Sequence, residues 1–339
     1  MIRLGVIGLR VGMRHADAVK LCEKAELAAI CDTNEETLAK GKERFPNADT
    51  YTDYRDMLKD PTLDGIVVAT PDDLHHEMVI NTLRAGKHVM CEKPFALHSD
   101  ECKDMIRVSE ETGKILMVGQ VCRVAPAFVK AKAIIDSGAI GDLYFIESEY
   151  AHDYVDIKGW RMDPKMKRHP VTGGGCHPID LVRWLAGKEA TEAFAYGTHE
   201  TLKDWPCDDS TISLIKFDKS LSAKVYVSVG CKRYYSMRTV IYGTKGTIIA
   251  DNQSATMTVY LDTLGEETSL FGTKMREVAH ILPVDVASHN FASEIKEFCD
   301  SINENRQPTI PAEEGAKAVA ICEAIIRSTE TGKPEKIVY

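Results

Sequence analysis

The first third of the chain alternates short apolar runs with segments of helical periodicity. Apolar runs bounded by glycine or proline predict buried strands at 2–8, 27–31, 65–70, 88–91 and 115–119. The segments between them predict helices at 14–22, 34–45, 73–85 and 99–112. Strands that alternate with helices form βαβ units, so this part predicts a parallel sheet covered on both faces.

The second part of the chain is richer in strand patterns. Helices are predicted at 126–137 and 178–185, with a polar and aromatic stretch of no clear period between 151 and 172. Successive strands are then predicted at 145–150, 210–217, 221–229, 238–242, 247–250 and 256–261. Short turns between most of them favour an antiparallel sheet. Helices at 290–303 and 313–329 close the chain.

The length predicts two domains, since single cores stop growing near ~250–300 residues and this chain has 339. We place the boundary so that residues 1–122 form one domain and residues 123–339 the other. The class is α/β, with a parallel sheet first and a mostly antiparallel sheet second.

Composition narrows the class of protein. Apolar residues make up 44% and charged residues 27% of the chain, as in an ordinary soluble protein. The net charge of -9 argues against nucleic acid or anionic membranes as partners. No apolar run approaches the ~20 residues that span a bilayer, and the start predicts a strand rather than a signal peptide. Ten cysteines without CxxC pairs favour a reducing cytoplasm over a disulfide framework.

A glycine turn between the first strand and the first helix predicts a dinucleotide site. Backbone N–H groups in such a turn approach a pyrophosphate at the positive end of the helix. If Gly8 is the first glycine of G-x-G-x-x-G, Arg10 and Met13 occupy the other two glycine positions, unless the turn is shorter and Gly12 serves. The alternative is a glycine turn of any α/β protein. The predicted contacts are Gly8, Leu9, Arg10, Val11, Gly12 and Met13.

The second strand ends at Asp32, where a carboxylate can accept a hydrogen bond from the adenosine ribose. Thr33 and Asn34, which follow, supply no positive charge for a 2′-phosphate. This favours NAD over NADP, with Arg10 left as a possible phosphate contact. The alternative interpretation of Asp32 is a helix N-cap.

Five further segments resemble motifs of one family, and they occur in the same order over nearly the whole chain. His88-Val-Met-Cys-Glu-Lys-Pro94 resembles the "hVxxEKP" element of the Gfo/Idh/MocA sugar and polyol oxidoreductases. Thr70-Pro71 followed by His75 resembles its "TPxxxH" segment, and Arg123 its "RFxP" element. Residues 173–184 resemble its "GxHxxDxxRW" helix, and Pro311–Gly315 before a helix also fits.

The resemblance implies a Rossmann domain followed by an α/β domain with a large open sheet. It implies NAD or NADP, no catalytic metal, and homodimers or homotetramers formed through the open sheet. Carried over by position, Lys93 and His177 are the catalytic residues facing the reacting carbon. The implied cofactor contacts are Thr33, Thr70, Pro71, His75, Glu92, Lys93 and Gln120.

One departure from the family affects the proton chemistry. Many members carry an Asp four residues before the helix histidine, and here that position is Gly173. The proton-transfer role then shifts toward Lys93, or to His177 with another partner. Asp180 lies one helical turn beyond His177 and is a candidate to orient it.

Oxidation of a secondary alcohol moves a hydride to the nicotinamide and a proton to a base. Lysine is a poor base at its free pKa of ~10.4, but burial near a positive charge lowers a lysine pKa toward neutrality. We therefore predict Lys93 as the base and His177 as a hydrogen-bond partner of the substrate hydroxyl. The alternatives are a surface lysine and a histidine that caps its helix.

Residues 151–172 combine rings and charges that suit a small hydroxylated substrate such as a sugar or cyclitol. They include His152, Asp153, Tyr154, Asp156, Trp160, Arg161 and His169. The predicted substrate contacts are Trp160, Arg161, Arg123, Asp180 and His177. The alternative is a solvated loop. Cys176 has no partners at metal-ligand spacing, so no metal site is predicted.

The sequence thus favours an NAD(P)-dependent dehydrogenase or reductase of a sugar, sugar derivative or cyclitol. A second hypothesis is a redox-neutral glycosidase or lyase that oxidises a glycoside transiently with bound NAD. A third is a catalytically silent sensor of the cofactor, for which loss of the lysine or the histidine would be typical; both are present here.

Overall fold

The computed structural model describes residues 1–154, 158–164, 166, 168–262, 268–270, 273–275, 277–286 and 289–339. They form two compact units. The first contains 1–121, 290–320 and 339, and the second contains 122–289 and 321–338. Among these residues, no helix combines the length and the apolar character needed to cross a bilayer.

The first unit is built on a six-stranded parallel sheet with the order β3-β2-β1-β4-β5-β6. The strand order changes direction between β1 and β4, and in such sheets ligands bind beyond the carboxyl ends of the strands at that point. The predicted parallel sheet is confirmed. Its strands are Ile2–Ile7 (β1), Ala25–Cys31 (β2), Asp49–Tyr51 (β3), Gly65–Val68 (β4), His88–Glu92 (β5) and Leu116–Gly119 (β6).

Local sequence explains where the helices of this unit begin and end. The Asn34 side chain caps α2 by accepting a hydrogen bond from the Thr37 N–H at 2.8 Å. The α5 helix ends at Gly113, which has φ 64°. The helices are Gly12–Leu21 (α1), Glu35–Arg44 (α2), Tyr54–Met57 (α3), His75–Arg84 (α4), Ser99–Thr112 (α5) and Phe291–Glu304 (α9).

Two hydrophobic clusters fill this unit. One includes Met57, Phe95 and Met105, and the other includes Leu4 and Phe298. Phe298 comes from α9, which packs against α1. A helix predicted near the end of the chain therefore completes the core of the unit that the chain starts.

The second unit contains a nine-stranded sheet within its described residues, in the order β16-β13-β12-β11-β7-β10-β9-β8-β17. β7 and β10 are parallel, and the other neighbours are antiparallel. The predicted, mostly antiparallel sheet is confirmed. Its strands are Leu143–Ala151 (β7), Glu192–Thr198 (β8), Ser210–Lys216 (β9), Ser222–Ser228 (β10), Arg238–Gly243 (β11), Gly246–Asp251 (β12), Thr256–Asp262 (β13), Glu277–Pro283 (β16) and Glu335–Lys336 (β17). Thr268–Leu270 (β14) and Thr273–Met275 (β15) form a separate pair.

Helix α8 packs against β7 and β10, and nearly every residue in it is buried. The opposite face of the sheet leaves Tyr196, Ile212 and Leu214 exposed, with 65%, 44% and 52% of their surface accessible. The remaining helices are Pro126–Asp136 (α6), Pro170–Gly173 (α7), Cys176–Ala186 (α8) and Ala312–Thr331 (α10), the last of which contributes residues to both units.

Candidate functional site

The turn after β1 requires glycine at position 8. Gly8 has φ +85°, and a Cβ there would lie 2.6 Å from the carbonyl oxygen of Ala69. The Gly8 N–H donates to the Cys31 carbonyl at 2.8 Å, which ties the turn to the end of β2. A side chain at position 8 would therefore collide with the end of the neighbouring strand, as expected of the first glycine in a dinucleotide-binding turn.

The structure also shows which residue brings the helix close to the sheet. A Cβ on Gly12 would lie 2.9 Å from Val6 Cγ1 and 3.3 Å from Ala69 Cβ. Gly12 is thus the glycine that lets α1 approach β1, the role that the sequence allowed it only if the turn is shorter, with Met13 at the regular position. Arg10 and Val11 are exposed at the tip of the turn.

Asp32 is fixed beside this turn. Its carboxylate accepts hydrogen bonds from the Leu9 N–H at 2.7 Å and from the Asn34 N–H at 2.9 Å. Asn34 rather than Asp32 caps α2, so the N-cap interpretation of Asp32 is wrong. Each carboxylate oxygen has a further lone-pair site, so the group can also accept from a ribose hydroxyl. Thr33 is exposed next to it.

His75 connects the segments that follow β4 and β5. It is fully buried, its Nδ1 lies 2.9 Å from the Pro94 carbonyl oxygen and its Nε2 lies 3.1 Å from the Thr70 carbonyl oxygen. Each ring nitrogen thus faces a carbonyl oxygen, and a neutral imidazole, which has one N–H, donates to one of the two; the ring lies between the Thr70-Pro71 segment and the loop after β5. The Lys93–Pro94 peptide bond in that loop is cis.

Two of the predicted cofactor residues have polar atoms without a partner. Thr70 Oγ1 and Gln120 Oε1 are buried and make no hydrogen bond within the described part of the chain. Buried polar atoms in proteins are normally paired, so two such atoms on loops after β4 and β6 indicate a place for a ligand. Together with the Gly8 turn and Asp32, this edge of the sheet fits a dinucleotide.

Glu92, at the end of β5, is a buried carboxylate with two partners. Its Oε1 lies 2.6 Å from His15 Nε2, and its Oε2 accepts from the Lys93 N–H at 2.9 Å. Burial by itself would raise the pKa of Glu92, but the hydrogen bond with His15 and the charges of His15 and Lys93 lower it to about 2. Lys93 is half-buried beside this anion. The sequence analysis missed His15, which lies in α1.

Glu294 of α9 is a second buried acid near Lys93. It is fully buried, and neither oxygen has a hydrogen-bond partner among the described residues. Burial raises its pKa well above the usual value, and the negative charge of Glu92 raises it further. The sequence analysis missed Glu294. Its place between Phe291 and Ile295, on the apolar face of a predicted helix, could have indicated a buried acid.

In the second unit, His177 lies in the first turn of α8 with 2% of its surface accessible. Its Nδ1 is 3.4 Å from the Cys122 Sγ. Its ring stacks on that of Tyr150 at a centroid distance of 6.5 Å, and it meets the His289 ring edge-on at 5.8 Å. The predicted catalytic histidine is thus inside a cluster of rings.

Arg123 and Asp180 form a buried ion pair. Arg123 donates through Nε and Nη2 to the two Asp180 oxygens at 2.7 and 2.6 Å. The planar guanidinium matches both oxygens of a carboxylate at once, so Arg123 is the partner that the structure gives Asp180. The prediction that Asp180 orients His177 stays a prediction.

An arginine occupies the space beside Gly173. A Cβ at position 173 would lie 2.3 Å from Arg168 Nη1. Arg168 is buried, and its Cζ lies 5.0 Å from the centre of the Trp160 ring, while the Arg161 Cζ lies 5.3 Å from the same ring. Trp160 and Arg161, both half-buried, were predicted from the sequence. Arg168 was missed, because only the fold brings it to Gly173.

Tyrosine hydroxyls surround the same region. The Tyr150 hydroxyl lies 2.9 Å from that of Tyr154 and 3.1 Å from His152 Nδ1. Burial, followed by the neighbouring tyrosines, raises the pKa of Tyr150, and burial also raises that of Tyr235. These hydroxyls therefore stay protonated and can donate. Other residues of the predicted stretch have structural partners: His169 caps α7, and Asp153 pairs with Lys232. Asp156 lies outside the described residues.

No group of three or more potential metal ligands is found where the chain is described. The candidate site residues described above carry carboxyl groups, a lysine amine, guanidinium groups, imidazoles, phenols and a thiol.

Comparison with known proteins matches both halves of the chain. Residues 2–120 match the family model described as "Oxidoreductase family, NAD-binding Rossmann fold", and residues 128–249 match the "GFO/IDH/MocA C-terminal domain". The myo-inositol 2-dehydrogenase of Thermotoga maritima is 28% identical, covering 99% of this chain and 98% of the relative. The 1,5-anhydro-D-fructose reductase of Ensifer adhaerens is 25% identical, covering 85% and 84%. A structure of levoglucosan dehydrogenase with NADH and levoglucosan shares the fold, with a TM-score of 0.88, 22% identity and full coverage of both chains.

Proposed function

The chain belongs to the GFO/IDH/MocA family of NAD-binding oxidoreductases, and on that premise we propose that it transfers a hydride between NAD and a secondary alcohol of a sugar, sugar derivative or cyclitol. The observation that carries the proposal is the cradle at the end of β1. There the neighbouring backbone leaves no room for a side chain at position 8. The Asp32 carboxylate is held beside this turn by hydrogen bonds from two backbone N–H groups.

The residues of the first unit fit the cofactor as follows. The Gly8–Gly12 turn would hold the pyrophosphate and Asp32 the adenosine ribose. The Thr70 hydroxyl and the Gln120 Oε1, an acceptor, would hold the nicotinamide half. When bound, NAD accepts the hydride. Asp32 and the absence of a nearby cation at Thr33 and Asn34 favour NAD over NADP.

The proton is handled by this chain's own residues. In this proposal Lys93 accepts the proton of the substrate hydroxyl, and its neighbour is the Glu92 carboxylate rather than the positive charge expected from the sequence. The carboxylate stabilises the ammonium that forms, and His177 remains the predicted hydrogen-bond partner of the substrate hydroxyl. Fixed hydrogen-bond partners of this kind stabilise charge that develops on oxygen in the transition state.

The substrate class follows from the second unit and from the relatives. The Arg161 and Arg168 guanidinium groups over the Trp160 ring supply hydrogen-bond donors. The Tyr150 and Tyr154 hydroxyls likewise suit a compound with several hydroxyls. Relatives named for inositol and anhydrofructose support a cyclic polyol. Arg123 and Asp180, the two other predicted substrate contacts, bind each other, and we propose that this ion pair lines one side of the substrate site.

We also propose a homodimer or homotetramer assembled through the open face of the nine-stranded sheet, where Tyr196, Ile212 and Leu214 are exposed. The ten cysteines form no disulfide with one another in the described structure, which suits a cytoplasmic enzyme. The net charge of -9 gives no support to a nucleic-acid or membrane partner.

The test is to incubate the purified protein with NAD and a panel of inositols, sugars, anhydrosugars and glycosides. Absorbance of reduced nicotinamide and chromatography of the products are followed in parallel. We expect NADH to accumulate with one compound class. Product without net NADH would overturn the dehydrogenase in favour of a redox-neutral glycosidase or lyase.

Lys93→Met tests the base. We expect NAD binding to be kept and turnover to fall by about 100-fold or more, the usual contribution of a positioned base. Lys114→Met is the matched control, because it makes the same substitution at a lysine between α5 and β6 of the first unit. Turnover near wild type in Lys93→Met with intact NAD binding would remove Lys93 from this role.

A further inference from the structure

We propose that Glu294 releases its proton when oxidised NAD binds and regains it when the nicotinamide ring is reduced, so that this buried acid sets the preference of the protein for the oxidised cofactor. The position of the nicotinamide beside Lys93 rests on the proposed function. The burial of Glu294 does not, and the protons exchanged on binding can be counted without turnover.

Glu294 lies in the first turn of α9, inside the first unit. Its side chain is fully buried, and neither carboxyl oxygen has a hydrogen-bond partner among the described residues. An ionised carboxylate without partners is strongly disfavoured in such a place, because burial removes the water that stabilises its charge. Glu294 is therefore a neutral acid in the free protein.

A second buried acid, Glu92, opposes the ionisation of Glu294. Glu92 is held as an anion by His15 Nε2, 2.6 Å from its Oε1, and by the Lys93 N–H, 2.9 Å from its Oε2. The His15 ring also meets the ring of Phe291, three residues before Glu294 in α9, edge-on at 4.7 Å. Burial raises the pKa of Glu294 most, the negative charge of Glu92 raises it further, and the positive charge of Lys93 lowers it.

The other charged side chains of α9, and those of α1, which packs against it, form ion pairs or lie at the surface. They are Lys296 with Asp300, Glu297 with Arg306, Asp17 with Arg44, and the exposed Arg14, Lys20 and Glu304. The charge of Glu294 is therefore governed by Glu92, by Lys93 and by a charged ligand that arrives beside them.

The two forms of the cofactor differ in the charge of the nicotinamide ring. Oxidised NAD carries a positive ring, and the hydride that the ring accepts neutralises it. In the proposed function this ring lies beside Lys93, one of the two charges that act on Glu294. At an effective dielectric near ~20, a unit charge several ångströms away changes the proton affinity of an acid by about 10- to 100-fold. Oxidised NAD therefore favours the ionised form of Glu294, whereas NADH leaves the acid protonated.

Linkage fixes the sign of the effect on binding. When NAD binds, Glu294 passes its proton to the buffer, and when NADH binds it keeps that proton. The Kd for NAD therefore falls as the pH rises, by up to the same factor of about 10 to 100, until Glu294 is also ionised in the free protein. During turnover the alcohol loses a hydride and its hydroxyl proton, and Glu294 takes up one proton, so the step releases no acid before the next NAD binds.

Calorimetric titration of the full chain with NAD, and separately with NADH, counts the protons exchanged. Each titration is run in two buffers of the same pH that differ in their enthalpy of protonation, because the difference between the two measured enthalpies gives the number of protons released. The series spans about pH 6 to 9, since the release lies above the usual glutamate pKa of ~4.3. We expect NAD to release about half a proton or more beyond NADH within this series, and only the Kd for NAD to fall as the pH rises.

Glu294→Gln keeps the shape of the side chain and removes its proton exchange. The extra release by NAD should fall by about half a proton or more, and the Kd for NAD should depend less on pH. Glu304→Gln, the same substitution at the exposed end of α9, is the matched control and should keep both properties. Lys93→Met removes the other titratable group beside the ring. It should keep the release at a higher pH, because the positive charge that lowers the pKa of Glu294 is gone.

Equal proton counts for NAD and NADH over the whole series, with both cofactors bound, would overturn this inference and leave the proposed function standing. A release that is lost in Lys93→Met would also overturn it, because the proton would then belong to the lysine, and this result can be read even if Glu294→Gln does not fold. Binding of neither cofactor would overturn the proposed function and the inference together.

Discussion

Two glycines of the first unit share a left-handed backbone but differ in their surroundings, and this separates conformational strain from collision. Gly8 has φ +85° and Gly113 has φ +64°. A Cβ at Gly113 would meet nothing within 4 Å, whereas a Cβ at Gly8 would lie 2.6 Å from the Ala69 oxygen and 2.8 Å from its carbonyl carbon. We use Gly113→Ala as the matched control for Gly8→Ala.

The expected magnitudes follow from these distances. A left-handed conformation costs a non-glycine residue about 1–2 kcal/mol, so Gly113→Ala should lower the free energy of unfolding by that amount. Gly8→Ala adds a collision with backbone, and ordinary C···O contacts start near ~3.3 Å. Either β1 or the segment after β4 must move by several tenths of an ångström, which adds about 1–3 kcal/mol.

Cofactor binding should separate the two variants more sharply. The turn that moves in Gly8→Ala is the one whose N–H groups face the pyrophosphate, and misplacement on the order of 1 Å lowers function by about 100-fold. We expect the Kd for NAD to rise by about that factor in Gly8→Ala and to stay within about threefold of wild type in Gly113→Ala.

The assays are urea unfolding followed by circular dichroism and calorimetric titration with NAD. Wild-type NAD affinity in Gly8→Ala would refute the placement of the cofactor at this turn. Loss of affinity in Gly113→Ala, at a site remote from the turn, would show that affinity follows global stability rather than local geometry.

Three further predictions concern the acids and the open face. Burial raises the pKa of Glu294, so the folded protein keeps a proton that the unfolded chain releases above its pKa of ~4.3. Wild type should therefore lose about 1.4 kcal/mol of stability per pH unit from there up to the folded pKa; Glu294→Gln should lose less in urea unfolding between about pH 5 and 8, and equal slopes would count against a protonated Glu294. Asp32→Asn weakens an acceptor at the ribose and should raise the Kd for NAD by about 10–100-fold in calorimetry; an unchanged Kd would place the ribose elsewhere. Leu214→Glu puts a charge on the open sheet face and should reduce the sedimentation coefficient to that of a monomer, whereas Leu21→Glu, at a leucine of α1 that is 78% exposed against 52% for Leu214, should not; wild-type sedimentation of Leu214→Glu would move the interface to another surface.

Local signals predicted much of the fold. The helix at 99–112 has the predicted bounds because its stop is coded by a single glycine. The parallel sheet was predicted from strands that alternate with helices, and the antiparallel sheet from strands that follow one another with short turns. The strand Glu192–Thr198 was missed, since its alanines and glycine give little β pattern, and Asp49–Tyr51 is too short to show a period.

The site was predicted only where a motif carried it. Gly8, Asp32 and Lys93 lie at ends of strands, positions that the chain order reveals. His15 meets Glu92 across 77 residues and Cys122 meets His177 across 55, and no periodicity encodes such long-range contacts. Arg168 beside Gly173 was missed although the pair is close in sequence, because a loop without a period does not indicate where its side chains point.

The His75 imidazole has a consequence for engineering. Its ring is buried between the Thr70 and Pro94 carbonyls, within 3.1 and 2.9 Å of them, so the loop proposed to border the ribose and the loop that follows Lys93 are packed against one side chain. Cofactor preference and alignment of the base are then not independent design variables. A redesign of the Thr70-Pro71 segment should be screened together with position 75, since a library that varies either alone would sample mostly misaligned catalysts.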